Sequence, residues 1–570
     1  MPADSEPGLR IVVIGGSAAG PKAAARARRM DEHAEITIIQ KDPDLSMASC
    51  GYPYYVGGVF DDRNQLLATP TGIVRDPAYY MNAKAIRALV NSEAVGIDRA
   101  GKIVRGRDLA SGMEYDLPYD KLILATGARP RLPDLPGIDL HGVTTLQSIK
   151  DADFLRRVRD EGRIKKAVVV GGGLIGMETC EALNLAGIEM TVVELLPQVL
   201  PFLDWQLAKV LEAHVASHAT MVITGNSVAE FLGRDGKLQA VKLASGLELP
   251  CELAVVAVGV IPNSSLAREA GLEIGKTGGI LVDEHMQTSD PDIYAAGDCV
   301  ESVQRQTGAK IHAPWGDLAN LQGRVAGENA AAGNRATHPG VIQTGICKVF
   351  EHTAGSTGLS ESAALKAGFD DVVSVVTAGP DRPGFMGGQL LVNKMVADRA
   401  TGRILGFQSV GPGDASRQVA TAAMAIMGGL TVDDVANADL PYAPPFSLAI
   451  DNIIATAQCL QNKRRGLMVG ISAEDLKRKL DAGEVPFLLD LRGPDEYEMT
   501  RLGLGEHLIP LGALRKRLAE LPDDPETEII CYCKISLRGY EGARILLQRG
   551  WKNVKVLEGG IAAWPYPKEK

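Results

Sequence analysis

An apolar strand, a glycine-rich turn and a helix-forming run occur twice in this chain, and this repetition constrains the fold more than any other feature. Residues 10–14 (RIVVI) lead into Gly15-Gly16-Ser17-Ala18-Ala19-Gly20. A helix-forming run over 21–30 and the strand Ile36-Thr37-Ile38-Ile39 follow. This is the βαβ layout in which helix N-terminal amides face a pyrophosphate. Glycine at 15 permits the tight turn, and glycine at 20 permits close packing of helix on strand. Ser17 replaces the middle glycine of G-x-G-x-x-G, and Gln40 stands where an acid usually grips the ribose. The second copy runs Ala167-Val168-Val169-Val170, then Gly171-Gly172-Gly173-Leu174-Ile175-Gly176, a helix, and Met190-Thr191-Val192-Val193 with Glu194 at its end. All three glycines are present, and the acid falls where a 2′-hydroxyl contact is expected. Glu194 would repel a 2′-phosphate, so NADH is expected over NADPH.

At 570 residues the chain is long enough for several domains, each with its own core. A net charge of −10 without a long basic run gives a nucleic-acid role no electrostatic support, while leaving room for a local basic pocket for a phosphorylated ligand. No apolar run is long enough to span a bilayer. The opening MPADSEPGLR lacks the basic-then-apolar layout of a secretion signal, so the expected location is the cytoplasm. Eight scattered cysteines read there as free or catalytic thiols. No metal site is expected.

Two more segments fall in a telling order. Tyr119-Asp120-Lys121-Leu122-Ile123-Leu124-Ala125-Thr126-Gly127 is a buried strand ending in a small turn. Asp292-Ile293-Tyr294-Ala295-Ala296-Gly297-Asp298-Cys299 is a strand closing on glycine and a carboxylate. With these four segments, residues 10 to about 460 resemble the two-dinucleotide-fold flavoprotein disulfide reductases. The resemblance implies FAD on the first unit, at Gly15, Ser17, Ala18, Gly20, Gln40, Lys41, Thr126, Gly127, Gly297 and Asp298. It implies NADH on the second, at Gly171, Gly173, Ile175, Gly176, Glu194 and Gly259.

Most members of that family carry a C-x-x-x-x-C redox disulfide. Here Cys50 stands alone in Ser46-Met47-Ala48-Ser49-Cys50-Gly51-Tyr52-Pro53-Tyr54-Tyr55, with Tyr55 five residues on. A lone cysteine cannot store two electrons as an internal disulfide. It must cycle through a sulfenic acid, a persulfide or a mixed disulfide. No histidine lies between His352 and His507, so the family's His–Glu thiol base is absent. Cys50 and its surroundings resemble the single-cysteine branch, coenzyme A disulfide reductases and NADH-dependent persulfide reductases. So does Asp439-Leu440-Pro441-Tyr442-Ala443-Pro444-Pro445-Phe446-Ser447. In that branch the tyrosine reaches the partner's cysteine across a homodimer, which gives Tyr442 a proton-handling role. Ser49 replaces the usual asparagine. Pro383-Gly384-Phe385-Met386-Gly387-Gly388 stands where a second tyrosine is common. Arg26, Arg29, Ser46 and Ser49 occupy the branch's coenzyme A positions. The two arginines, three apart on a helix, read equally as a phosphate clamp or a solvated face.

Residues 464–570 begin a new α/β pattern after Lys463-Arg464-Arg465-Gly466, read as a linker. Strands are expected at Phe487-Leu488-Leu489-Asp490-Leu491-Arg492, Leu508-Ile509-Pro510-Leu511 and Ile529-Ile530-Cys531-Tyr532, and Val554–Trp564 closes the chain. The Asp-x-Arg strand end, the loop from Cys533 to Arg538 and the terminal Gly559-Gly560-x-x-x-Trp564 resemble a rhodanese domain. Such a loop converges backbone N–H groups on a sulfur and stabilises an anionic persulfide. Arg538 closes the loop and Lys534 adds charge, while Ser536 replaces a common glycine. Cys531 reads as a buried strand cysteine, with a resolving thiol as the alternative.

The expected fold class is α/β. It comprises a discontinuous FAD-binding Rossmann-like domain (1–149 and 267–335), an NAD-binding one (150–266), an α+β dimerisation domain (336–463) and the rhodanese α/β domain. The expected activity is NADH-driven, FAD-dependent reduction of persulfides, polysulfides or coenzyme A-linked sulfane sulfur, with sulfide released and Cys533 carrying sulfur. The alternatives are coenzyme A disulfide reduction with an accessory rhodanese, an NADH oxidase or peroxidase, and a sulfurtransferase or redox sensor.

Overall fold

The computed structural model describes Gly8–Lys570, so the first seven residues of the polar N-terminal opening lie outside the described residues. The chain divides into two compact units, residues 1–190 with 227–341 and residues 191–226 with 342–570.

In the first unit, Arg10–Ile14 pairs in parallel with Glu35–Ile39 and Lys121–Leu124. Ile86–Leu89 and Ile293–Ala295 complete the five strands. A parallel sheet covered on both faces needs continuous apolar strands, and Ile11, Val13, Ile38, Leu122 and Ile123 are fully buried. Helix Ala19–Met30 packs on helix Gly316–Ala332 through glycines. A Cβ on Gly323 would stand 2.4 Å from the Ala19 carbonyl oxygen, and one on Gly327 2.1 Å from that of Ala23. The second glycine turn follows Lys166–Val170, which pairs with Leu253–Val256. Two three-stranded antiparallel sheets lie outside these dinucleotide folds.

The second unit holds an antiparallel sheet in the order Gly345–Val349, His352–Gly358, Ile404–Gly411, Leu390–Asp398, Val372–Pro380. Its C-terminal module is a parallel sheet in the order Gly470–Ile471, Val554–Leu557, Ile529–Tyr532, Phe487–Asp490, His507–Leu508. The strand expected over 508–511 is shorter than read. Pro510, with φ near −53°, starts the short helix Leu511–Leu514 instead.

The stretch read as a linker is a pinned joint. Lys463 and Arg464 end helix Asn452–Arg464. The Lys463 ammonium sits 2.5 Å from the buried Glu558 carboxylate and donates to the Ser374 carbonyl at 2.8 Å. The Glu558 carboxylate also accepts from Val376 N at 3.0 Å. One hydrophobic core, including Phe407, Val419, Leu489, Ile529 and Val556, runs through both sheets. The C-terminal module is therefore fixed to the antiparallel sheet rather than tethered to it.

Candidate functional site

In the first unit, both glycine turns are shaped for phosphate. Gly15 has φ +110°, and a Cβ there would lie 2.0 Å from the Ala125 carbonyl oxygen. One on Gly20 would lie 1.8 Å from the Gly15 oxygen. At the second turn Gly171 has φ +107°, a Cβ on Gly176 would lie 2.0 Å from the Gly171 oxygen, and Gly173 faces open space. The helices that follow, Ala19–Met30 and Leu174–Asn184, have no side-chain N-cap and no acid in the first turn. Helix Ile149–Glu161, by contrast, is closed by a Ser148–Asp151 capping box. Uncapped first-turn amides behind a glycine turn suit an anionic ligand. Ser17 is exposed and Ala18 half-buried at the first turn, while Ile175 is exposed and Gly259 (φ +98°) opens onto space at the second.

The other expected flavin-side residues have defined partners. The Gln40 amide oxygen accepts from Gly16 N at 2.7 Å, so this side chain braces the loop. Lys41 is exposed and paired with Glu93. The Thr126 hydroxyl donates to the Asn263 carbonyl at 2.6 Å, and Asn263 N donates to that of Gly127 at 2.9 Å, fixing this turn. Gly297 (φ +84°) donates its N–H to Gln322 at 2.9 Å. Asp298 is half-buried, and burial pushes its carboxyl pKa up against the pull of His312. In the second unit Glu194 is buried, and its carboxylate accepts from Leu196 N at 2.8 Å.

Cys50 lies on the one-turn helix Ser49–Gly51, directly before helix Tyr52–Gly57. The residue is exposed, and its sulfur points toward the backbone of Gly316, where a Cβ would come within 3.4 Å of it. Gly316 opens helix Gly316–Ala332, whose amide end favours a thiolate. Burial of the sulfur, then the charges of Glu178, Asp298 and Asp317, nevertheless push the thiol pKa up. Glu178 escaped the sequence reading. Burial raises its carboxyl to about 7, and it accepts from the Tyr54 hydroxyl at 3.2 Å. Only its position on the helix after the second glycine turn could have flagged it.

The four coenzyme A candidates separate in the structure. Arg26 forms a 2.5 Å ion pair with Glu328, and the Ser46 hydroxyl hydrogen-bonds that of Tyr80. Both are committed internally, whereas Arg29 and Ser49 are exposed. Tyr442 is 53% exposed in an irregular segment of the second unit, near in sequence to the exposed Phe446.

Cys533 is fully buried and directly follows strand Ile529–Tyr532. Ile561 N donates to its carbonyl at 3.1 Å, tying the terminal Gly-Gly turn to the loop. Ser536 adopts φ +75°, the left-handed conformation glycine favours, and its hydroxyl donates to the Leu557 carbonyl at 2.8 Å. That bond compensates for the missing glycine. Ser536 also begins helix Leu537–Gln548, whose amide end faces the loop. Arg538 bridges Glu496 through two hydrogen bonds of 2.6 and 2.8 Å. Its guanidinium is held more firmly protonated by Glu496 and, secondarily, by Cys533. Cys531 is fully buried on the strand, and burial drives its thiol pKa far up, as a buried strand cysteine requires.

A cavity of about 350 Å³ opens in front of Cys533. The loop, Leu537 and Arg538 form one wall; Pro380, Gly388 and Leu390 of the antiparallel sheet and its loop form the other. Sequence reasoning missed this second wall because nothing local marks a sheet edge as the lid of a site some 150 residues away. Glu496, also missed, is held by Arg538 from 4.5 down to about 2. A depressed carboxyl pKa stabilises the fold above 4.5, and that contribution is lost as pH falls toward 2. The melting-temperature gap between wild type and Glu496→Gln is accordingly expected to be largest above pH 4.5 and to close on acidification. A gap independent of pH would contradict the latch.

All eight cysteines are free, and among the described residues no helix is long and apolar enough to cross a membrane. Comparison with known proteins agrees with this architecture. The family described as pyridine nucleotide-disulphide oxidoreductase matches residues 9–313, its dimerisation domain 344–453, and the rhodanese-like domain 472–565. The NAD(P)H coenzyme A polysulfide/persulfide reductase of Pyrococcus horikoshii is 33% identical over 454 residues, 79% of this chain and 98% of its own. The structure of a NAD-dependent persulfide reductase from A. fulgidus is 43% identical, covers 98% of this chain and 100% of its own, and has a TM-score of 0.92. The reduced Bacillus anthracis CoADR-RHD is 33% identical, covers 98% of each chain and has a TM-score of 0.90.

Proposed function

Because the chain belongs to the pyridine nucleotide-disulphide oxidoreductase family, we propose that it is an FAD-dependent, NADH-driven reductase of persulfides, polysulfides or coenzyme A-linked sulfane sulfur. The observation that carries this reading is the pair of thiols, a lone exposed Cys50 and a loop-cradled Cys533 at a cavity, in one chain. Gly15, Gly20 and the uncapped helix Ala19–Met30 suit the FAD pyrophosphate, and Gly171, Gly173 and Gly176 that of NADH. Bound FAD supplies the path by which two electrons from NADH reach a sulfur–sulfur bond.

The chain's own residues do the rest. Cys50 loses its proton and attacks a persulfide RSSH. Attack at the terminal sulfur releases RSH and leaves a Cys50 persulfide. Attack at the inner sulfur releases sulfide and leaves a mixed disulfide. Either way the sum is RSSH + NADH + H⁺ → RSH + H₂S + NAD⁺. Burial and nearby carboxylates push the Cys50 thiol pKa up, and the amide end of helix Gly316–Ala332 opposes them. Tyr442 of the partner subunit would donate the proton to the leaving thiolate. Exposure of Tyr442, Phe446 (72%) and Phe385 (80%), together with the dimerisation-domain match, supports a homodimer. Arg29 and Ser49 are the exposed contacts available to a coenzyme A carrier. Eight thiols, none of them in a disulfide, favour a reducing cytoplasm.

The oxidase or peroxidase reading would look to a histidine near the N-terminal helix as partner of the lone cysteine. His33, the N-terminal candidate, is exposed beyond the C-terminal end of helix Ala19–Met30, away from the glycine turn. Anaerobic turnover on coenzyme A persulfide and coenzyme A disulfide, each with NADH and NADPH, tests the proposal. Faster turnover of the persulfide, with NADH preferred, is expected. A much faster disulfide reaction would make this a disulfide reductase with an accessory domain, and an NADPH preference would remove the role given to Glu194.

A further inference from the structure

Away from both thiols, a histidine cluster in the second unit carries ligand-type chemistry that the proposed reaction does not use. His214 and His218 lie four residues apart at the end of helix Trp205–Ser217, so both rings emerge on one face. Glu351 occupies the tight turn between strands Gly345–Val349 and His352–Gly358. Each histidine Nε2 is 3.1 Å from the same carboxylate oxygen, Glu351 Oε2. The three ligand atoms lie within 4.8 Å of one another.

The rings are held in place. His352 stacks on His214 with centroids 3.6 Å apart, and Phe350 stacks on His218 at 3.9 Å. The His218 Nδ1 is 3.1 Å from the His214 carbonyl oxygen, which can only accept. That contact orients the ring so that Nε2 faces Glu351. His214 Nε2 is buried and makes no well-directed hydrogen bond. Two imidazole nitrogens thus converge on one carboxylate oxygen.

We propose that His214, His218 and Glu351 form a three-ligand site for a divalent cation of the zinc class, with water in the fourth position. Two imidazoles and one carboxylate are a donor set that zinc accepts. Bonds of about 2.0–2.1 Å in a tetrahedron place ligand atoms roughly 3.3 Å apart, close to the two 3.1 Å separations to Glu351; the two histidine nitrogens, within 4.8 Å of each other, would draw together on the ion. Such an ion would staple the end of helix Trp205–Ser217 to the turn at Glu351. The same helix anchors the C-terminal module, because Gln206 donates to the Ala563 carbonyl at 3.0 Å. The ion's role is therefore bracing, since none of its ligands contacts Cys533.

The test uses the full-length, FAD-loaded protein, stripped with chelator, titrated with Zn²⁺ and desalted. Retained metal is counted by mass spectrometry, and its ligands are read by zinc-edge X-ray absorption. One Zn²⁺ per chain is expected, with a nitrogen and oxygen shell at about 2.0–2.1 Å. Glu351→Gln and His218→Gln are each expected to weaken binding about tenfold or more, with flavin content and NADH turnover unchanged. Three results would each overturn the site: no retained zinc, sulfur ligands at about 2.3 Å, or equal affinity in both variants. Absent zinc together with a histidine titration moved by Glu351→Gln would show that a proton holds the cluster together.

Discussion

Cys50→Ser is expected to reduce NADH-driven sulfide release by roughly a thousandfold or more, the scale seen when a catalytic nucleophile is removed. FAD content and reduction of the flavin by NADH should persist, because the glycine turns proposed to hold the cofactors do not involve the thiol. No neighbouring residue can substitute. Of the eight free cysteines, Cys50 is the exposed one, while Cys299 is buried beneath the Gly297 turn. A serine hydroxyl at this position forms no persulfide and accepts no sulfane sulfur. Anaerobic sulfide measurement with a small persulfide as substrate reads the effect directly. Wild-type sulfide release by the variant would remove Cys50 from the chemistry.

Cys533→Ser should separate the two activities. Sulfur transfer from a sulfane donor to a thiol acceptor is expected to fall roughly a thousandfold or more, again because the nucleophile is lost. Reduction of a preformed small persulfide should stay within about twofold of wild type, since that substrate needs only Cys50. The prediction follows from the site geometry. Cys533 is fully buried except through its cavity, and Arg538, Lys534 and the loop supply the environment for an anionic persulfide. Glu558, Lys463 and Val376 lock the module to the antiparallel sheet, so it does not swing against that sheet. A small thiol acceptor is the expected carrier. Equal loss of both activities in Cys533→Ser would instead place Cys533 within the reductive step.

The sequence announced its fold where backbone geometry restricts residue choice. Gly15, Gly20, Gly171 and Gly176 sit where a Cβ would collide with a carbonyl oxygen, so glycine spacing reports the turn directly. The apolar runs at 10–14 and 529–532 are strands because both faces are buried. Long-range partners were not legible. Arg26 and Ser46 read as ligand contacts by position, yet Glu328 and Tyr80, hundreds and tens of residues away, hold them. The basic stretch at 463–466 read as a linker, although the Lys463 charge neutralises the buried Glu558. The wall that Pro380, Gly388 and Leu390 give the Cys533 cavity depends on how two sheets dock. His214 and His218 have the spacing of a helical ligand pair, but Glu351, which joins them, lies far along the chain.

The central claim is that sulfur accepted at Cys533 is reduced at Cys50. The enzyme can be loaded anaerobically with one sulfane sulfur on Cys533, desalted, and mixed with coenzyme A and one equivalent of NADH. Cys533–SSH + CoASH gives Cys533–SH + CoASSH, and CoASSH + NADH + H⁺ gives CoASH + H₂S + NAD⁺. One NADH oxidised and one sulfide released per chain, both abolished in Cys50→Ser, is the predicted result. Sulfur retained on Cys533 with NADH unconsumed would contradict it.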